Sequence, residues 1–96
     1  MMNNDNERLA SYISASEGII SSDAIEEVRH FYEHGEYEMS FEGLVIELMK
    51  VRKYPNNFNL NEWRELAISY GLNKETVFDG EFWVKFRNWG VLFENR

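Results

Sequence analysis

Ninety-six residues with 44% hydrophobic content, including seven Phe, five Tyr and three Trp, suffice for one domain with a buried core; this excludes both a second lobe and an intrinsically disordered chain. The absence of cysteine excludes a disulfide framework and a thiolate metal site. A net charge of −7 disfavours contact with nucleic acid or an anionic membrane, both of which recruit Lys and Arg, and leaves basic partners as the ones the chain is suited to bind.

In chain order, residues 1–6 (MMNNDN) are polar and are expected to be disordered. From Glu7 the apolar positions Leu9, Ala10, Tyr12 and Ile13 recur at helical spacing, predicting a first helix from about Glu7 to Glu17 with Gly18 as its stop. Ser22 is the expected N-cap of a second helix, with Asp23 and Glu26 near the positive end of its dipole and Ala24, Ile25, Val28, Phe31 and Tyr32 on one face, ended by Gly35. A third helix is predicted from about Glu36 to Lys53, before the break at Tyr54-Pro55-Asn56-Asn57. At 100° per residue, Tyr37, Phe41, Leu44, Leu48 and Val51 form its core stripe, while Met39, Ile46 and Met49 lie on the far side, flanked by Glu36 with Glu47 and by Glu38 with Glu42. Such a helix is either sandwiched within the domain or shows its second stripe to a partner, and Gly43 marks an expected close approach by another element.

Asn59 or Asn61 can cap a fourth helix bearing Leu60, Trp63, Leu66, Ala67 and Tyr70 and closed by Gly71. NKETVFDG reads as a turn or a single helical turn. From about Gly80, Phe82, Trp83, Phe86, Trp89 and Phe93 recur at i+3 and i+4, the spacing of a core-facing last helix and not of a base-stacking platform, which would carry more basic residues than Lys85 and Arg87. Strand alternation is nowhere sustained. The predicted fold is all-α, a compact single-domain bundle of four to five helices over residues 1–96. No stretch approaches the ~18 consecutive apolar residues of a membrane span, and the opening lacks a basic segment followed by an apolar run, so a soluble cytoplasmic protein with no membrane partner is expected.

Little in the chain points to catalysis. His30 and His34 stand four apart, a spacing at which two imidazoles can share a metal, and HFYEH matches the inverted zinc-protease motif H-x-x-E-H. No further histidine or cysteine completes a closed site, so the pair reads as helix-end histidines favoured by the dipole. Glu36, Glu38 and Glu42 lie outside one helix of a domain too small to build a sugar cleft between two carboxylates. There is no nucleophile elbow, Ser40 has no histidine beside it, and all six glycines are isolated. The chain is expected not to be an enzyme and to need no cofactor or metal.

The informative feature is charge distribution. Residues 23–47 hold eight acids (Asp23, Glu26, Glu27, Glu33, Glu36, Glu38, Glu42, Glu47) against Arg29, a local charge of −7, whereas residues 1–22 carry −2 and residues 48–96 carry +2. An evenly solvated bundle mixes both signs. Glu38 and Glu42, at i and i+4, should repel by a few tenths of a kcal/mol, about what like charges at that spacing cost a free helix. The acids are therefore either a wet face or a docking face for something positively charged.

The segment FYEHGEYEMSFEGLVIELM resembles the small immunity proteins of contact-dependent growth inhibition and related polymorphic toxin systems, including the MafI-like group, in which H-x-E-Y-E-x-A-x-E-x-L recurs. His34, Glu36, Tyr37, Glu38, Phe41, Glu42 and Leu44 carry the likeness over about a third of the chain, and Ser40 stands where alanine is expected. The resemblance implies a cytoplasmic inhibitor that binds one cognate toxin domain, often a basic nuclease. The acids Glu26, Glu27, Glu33, Glu36, Glu38, Glu42 and Glu47 would then steer a cationic partner, with Tyr32, Tyr37, Met39 and Tyr54 as anchors beside them. Two other readings remain at this point: an acidic nucleic-acid mimic or regulatory adaptor that binds a host protein, and a small metal-dependent hydrolase built on His30 and His34.

Overall fold

In the computed structural model, which describes residues 4–95, α1 (Asp5–Ala15), α2 (Ser22–Glu33), α3 (Tyr37–Val51), α4 (Leu60–Ser69) and α5 (Phe82–Glu94) follow one another without an intervening strand. The radius of gyration is 12.3 Å, close to the ~13 Å of a single compact domain of this length. Central to the fold is α3, which packs against α1, α2 and α5. Phe41, Leu44, Val45 and Leu48 of that helix have no exposed surface, and neither have Trp63, Leu66, Phe82 and Phe86 from α4 and α5. The core stripe of α3 is thus wider than its period suggests. Val45 and Ser40 join it, Val51 at its end is exposed, and Ile46 and Met49 of the second stripe pack against the core half-buried.

The helix ends follow from local chemistry. Ser21, one residue before the expected Ser22, caps α2: its extended backbone aims the hydroxyl at the Ala24 amide, 3.1 Å away, while Ser22 is already helical. Gly35, at φ +74°, stops α2 as expected, its amide and that of Glu36 donating to the carbonyls of Tyr32 and Phe31. Asn59 caps α4 through the Glu62 amide. A close approach does exist at a glycine, but at Gly90, where an added Cβ would collide with Leu60. At Gly43 it would meet Val28 and Phe78 at 3.8 and 3.9 Å, ordinary contact distances.

The N-terminal expectation needs correction. Residues 1–3 lie outside the described residues, but residues 4–6 are part of the fold. Helix α1 begins at Asp5, whose carboxylate accepts from the Ser69 hydroxyl, and Asn6 accepts from the Tyr32 hydroxyl through its carbonyl and from the Tyr70 hydroxyl through its side chain, both at 3.0 Å. Partners 26 to 64 residues away offset the weak helix propensity of these polar residues.

Candidate partner-binding face

The acidic residues reach the surface because α2 turns its apolar face inward. Burying Ala24, Ile25 and Val28 leaves Glu26, Glu27 and Glu33 exposed, and the turn at Gly35 delivers Glu36 and Glu38 to the surface at the start of α3. The two helices are locked by the buried Ser40 hydroxyl, which donates to the Val28 carbonyl at 2.9 Å. This bond gives the serine at the position where alanine was expected a structural role. Among the described residues, none of these five carboxylates pairs with a cation.

They do not form one continuous face. Glu26 and Glu33, with Arg29 and His30 on the same side of α2, line an open groove of about 680 Å³ that also holds Glu17, the ion-pair partner of Arg29. Glu27 looks the other way, into a recess of about 240 Å³ shared with Phe31, Gly43, Ile46, Glu47 and Phe78. Glu47 is half-buried and pairs with Lys50 at 3.2 Å, a surface contact of little energetic weight.

Glu42 departs most from expectation. It has no exposed surface and cannot meet a partner. Its carboxylate accepts three backbone amides from the segment before α5: Val77 at 2.8 Å, Phe78 at 3.0 Å and Asp79 at 2.9 Å. A buried charge is tolerable only when hydrogen bonds replace its water, and three amide donors do so here without a cation. Repulsion from Glu38 is therefore no sign that a partner is required, because Glu42 belongs to the isolated fold.

The proposed aromatic anchors divide in the same way. Tyr32 and Tyr37 are half-buried and pack edge to face at 5.3 Å near the hairpin turn, with Tyr37 further stacked on Tyr70. Met39 is half-buried in the first turn of α3. Tyr54 is misplaced as an anchor beside the acids. It follows the far end of α3, a helix of 15 residues and hence about 22 Å long, where it stacks on Trp89 at 4.6 Å and donates its hydroxyl to the Trp89 carbonyl at 2.6 Å.

Periodicity passed over the exposed apolar tip beside Glu42. Val77 is 52% and Phe78 48% exposed, and the Phe78 ring lies 5.7 Å from that of Phe31. The readable signal was an adjacent Val-Phe pair inside a polar turn, where no helical period assigns it to a core. The tip is braced on its far side, where the Thr76 hydroxyl donates to the Asp79 carbonyl and Lys85 pairs with the Asp79 carboxylate at 2.8 Å. The bond from Lys85, then that from the Glu81 amide, holds Asp79 below the usual carboxylate range.

The His30 and His34 rings pack 4.2 Å apart, tilted by 43°, and the Nδ1 of His34 lies 2.8 Å from the His30 carbonyl. Among the described residues no three His, Asp or Glu side chains are grouped to hold a metal ion, and no helix is long and apolar enough to cross a membrane. Compared with protein-family models, curated proteins and solved structures, the chain finds no match.

Proposed function

We propose that this chain is an immunity protein that acts in the cytoplasm, binding a cognate cationic toxin domain, a nuclease, and blocking it with the acidic surface of the α2–α3 hairpin. The observation that supports this reading is the set of five exposed carboxylates, Glu26, Glu27, Glu33, Glu36 and Glu38, none of which has a cation partner among the described residues. Other exposed acids among the described residues, Glu62 and Glu81 included, are also without an ion pair; what sets these five apart is their concentration within residues 26–38, where the one Lys or Arg, Arg29, is bound to Glu17. An uncompensated negative field beside half-buried aromatic and apolar groups accelerates capture of a basic protein and imitates the phosphates that a nuclease surface is built to hold. In this reading the chain carries out no chemistry of its own.

The test is co-expression with the toxin domain encoded beside its gene, followed by association kinetics with the purified pair. Growth should be restored. Glu36→Lys with Glu38→Lys should slow association about tenfold or more at low salt, with the difference fading as salt screens it and the melting temperature unchanged. An unaltered on-rate would place the surface elsewhere, and failure to protect, with a host protein bound instead, would favour an acidic adaptor.

A further inference from the structure

The acids account for steering but not for grip, since exposed charge pairs contribute little to affinity. The Val77–Asp79 tip combines a fixed backbone with exposed apolar side chains. A buried carboxylate is used to pin three successive amides, and the outcome is two large apolar side chains standing half in water. Val84 and Leu92 on α5 are more exposed, at 62% and 64%; what sets the tip apart is that a buried side chain fixes its backbone. Pinning removes the backbone freedom that binding would otherwise have to remove, so the tip is organised before any partner arrives.

The recess between Phe78, Phe31, Gly43 and Ile46 has a volume of about 240 Å³. That is below the roughly 300–1,000 Å³ of ligand pockets, a size for one side chain and not for a metabolite. Its walls include Glu27 and Glu47, so an apolar group entering it brings its chain neighbours within reach of two carboxylates. The Lys50 pairing of Glu47 is exposed and readily exchanged for a partner's cation.

We propose that the Val77–Phe78 tip, held out by Glu42, and the recess it shares with Phe31 and Ile46 form the apolar anchor point of the partner interface. The recess receives one apolar side chain from a segment with lysine or arginine on either side. Glu42 acts as a positioning residue. This rests on the acidic-surface reading and adds to it the place and chemistry of the tight contact.

Two short synthetic peptides test it, each with lysines flanking a central residue, leucine in one and serine in the other. Titrated against the full chain at low salt, the leucine peptide should bind about tenfold more tightly, the scale expected for burying that side chain. Its amide NMR shifts should concentrate at residues 77–79, Gly43 and Ile46. Phe78→Ser, whose fold is checked by its melting curve because Phe78 also packs on Phe31, should erase the leucine preference and retain the salt-dependent remainder. Glu42→Gln should reduce the preference without altering the salt dependence. Equal binding of both peptides to the parent chain would overturn the anchor while leaving the acidic surface in place. Binding of neither would remove the acidic-surface reading and the anchor with it. A dimer that Phe78→Ser disperses would show that the recess serves a second copy of the chain, and would also overturn the proposal.

Discussion

The C-terminal end of α3 and its side facing α2 are built on opposite terms. At its C-terminal end Tyr54, Phe58, Trp63, Trp89 and Phe93 interlock ring against ring with centroids 4.6 to 6.3 Å apart, Phe58, Trp63 and Trp89 buried and Tyr54 and Phe93 half-buried. On the side facing α2 and the residue 77–79 segment, a carboxylate is buried, two large apolar residues stand in water, and acids line the rim. The first end spends its aromatic residues on stability. The side facing α2 uses a buried carboxylate to fix the backbone of a tip whose two apolar side chains stay about half exposed.

Substitutions should separate the two. The largest effect belongs to the aromatic end. Trp63→Ala removes a fully buried ring packed on Tyr12, Phe41 and Phe58, and should cost about 3–5 kcal/mol, enough to unfold much of a domain of ordinary stability. Chemical denaturation reads this directly. Next is Glu42→Ala, which leaves three amides without their acceptor and should cost about 2–3 kcal/mol, limited by water reaching the part-exposed tip. The distinguishing readout is local: amide exchange at Val77, Phe78 and Asp79 should accelerate well beyond the change in global stability, and uniform acceleration would deny the clamp. The smallest effect has the opposite sign. Gly43→Ala should stabilise by about 0.5–1 kcal/mol, since the new methyl meets Val28 and Phe78 at ordinary contact distance and the helix gains propensity. A loss of stability would mean that the recess is tighter than its geometry indicates.

Which parts of this were legible depends on how far away each residue's partner lies in the chain. Five helices and the stops at Gly35 and Gly71 follow from local rules, because caps and turns are satisfied within a few residues. Residues 4–6 were misjudged because Tyr32, Ser69 and Tyr70, which tie them down, lie 26 to 64 positions on. Glu42 failed for the same reason, its donors being 35 to 37 residues downstream. A hint was present, for on the helical wheel it falls between Val45 and Ile46, apolar neighbours on both sides, where an acid must be either badly placed or internally bonded. Tyr54 was grouped with the acids by closeness in sequence, although a helix about 22 Å long separates them. For Glu26, Glu27, Glu33, Glu36 and Glu38 local amphipathicity was enough, since outward-facing positions need no distant partner.

The most direct test of the division between these two regions is hydrogen exchange of the chain alone and in complex with the cationic toxin domain proposed as its partner. Protection on binding should appear at residues 26–38 and 77–79, with the outer face of α5 around Val84 and Leu92 unchanged. Protection confined to α4 and α5, with the hairpin and the tip exchanging as in the free protein, would contradict it.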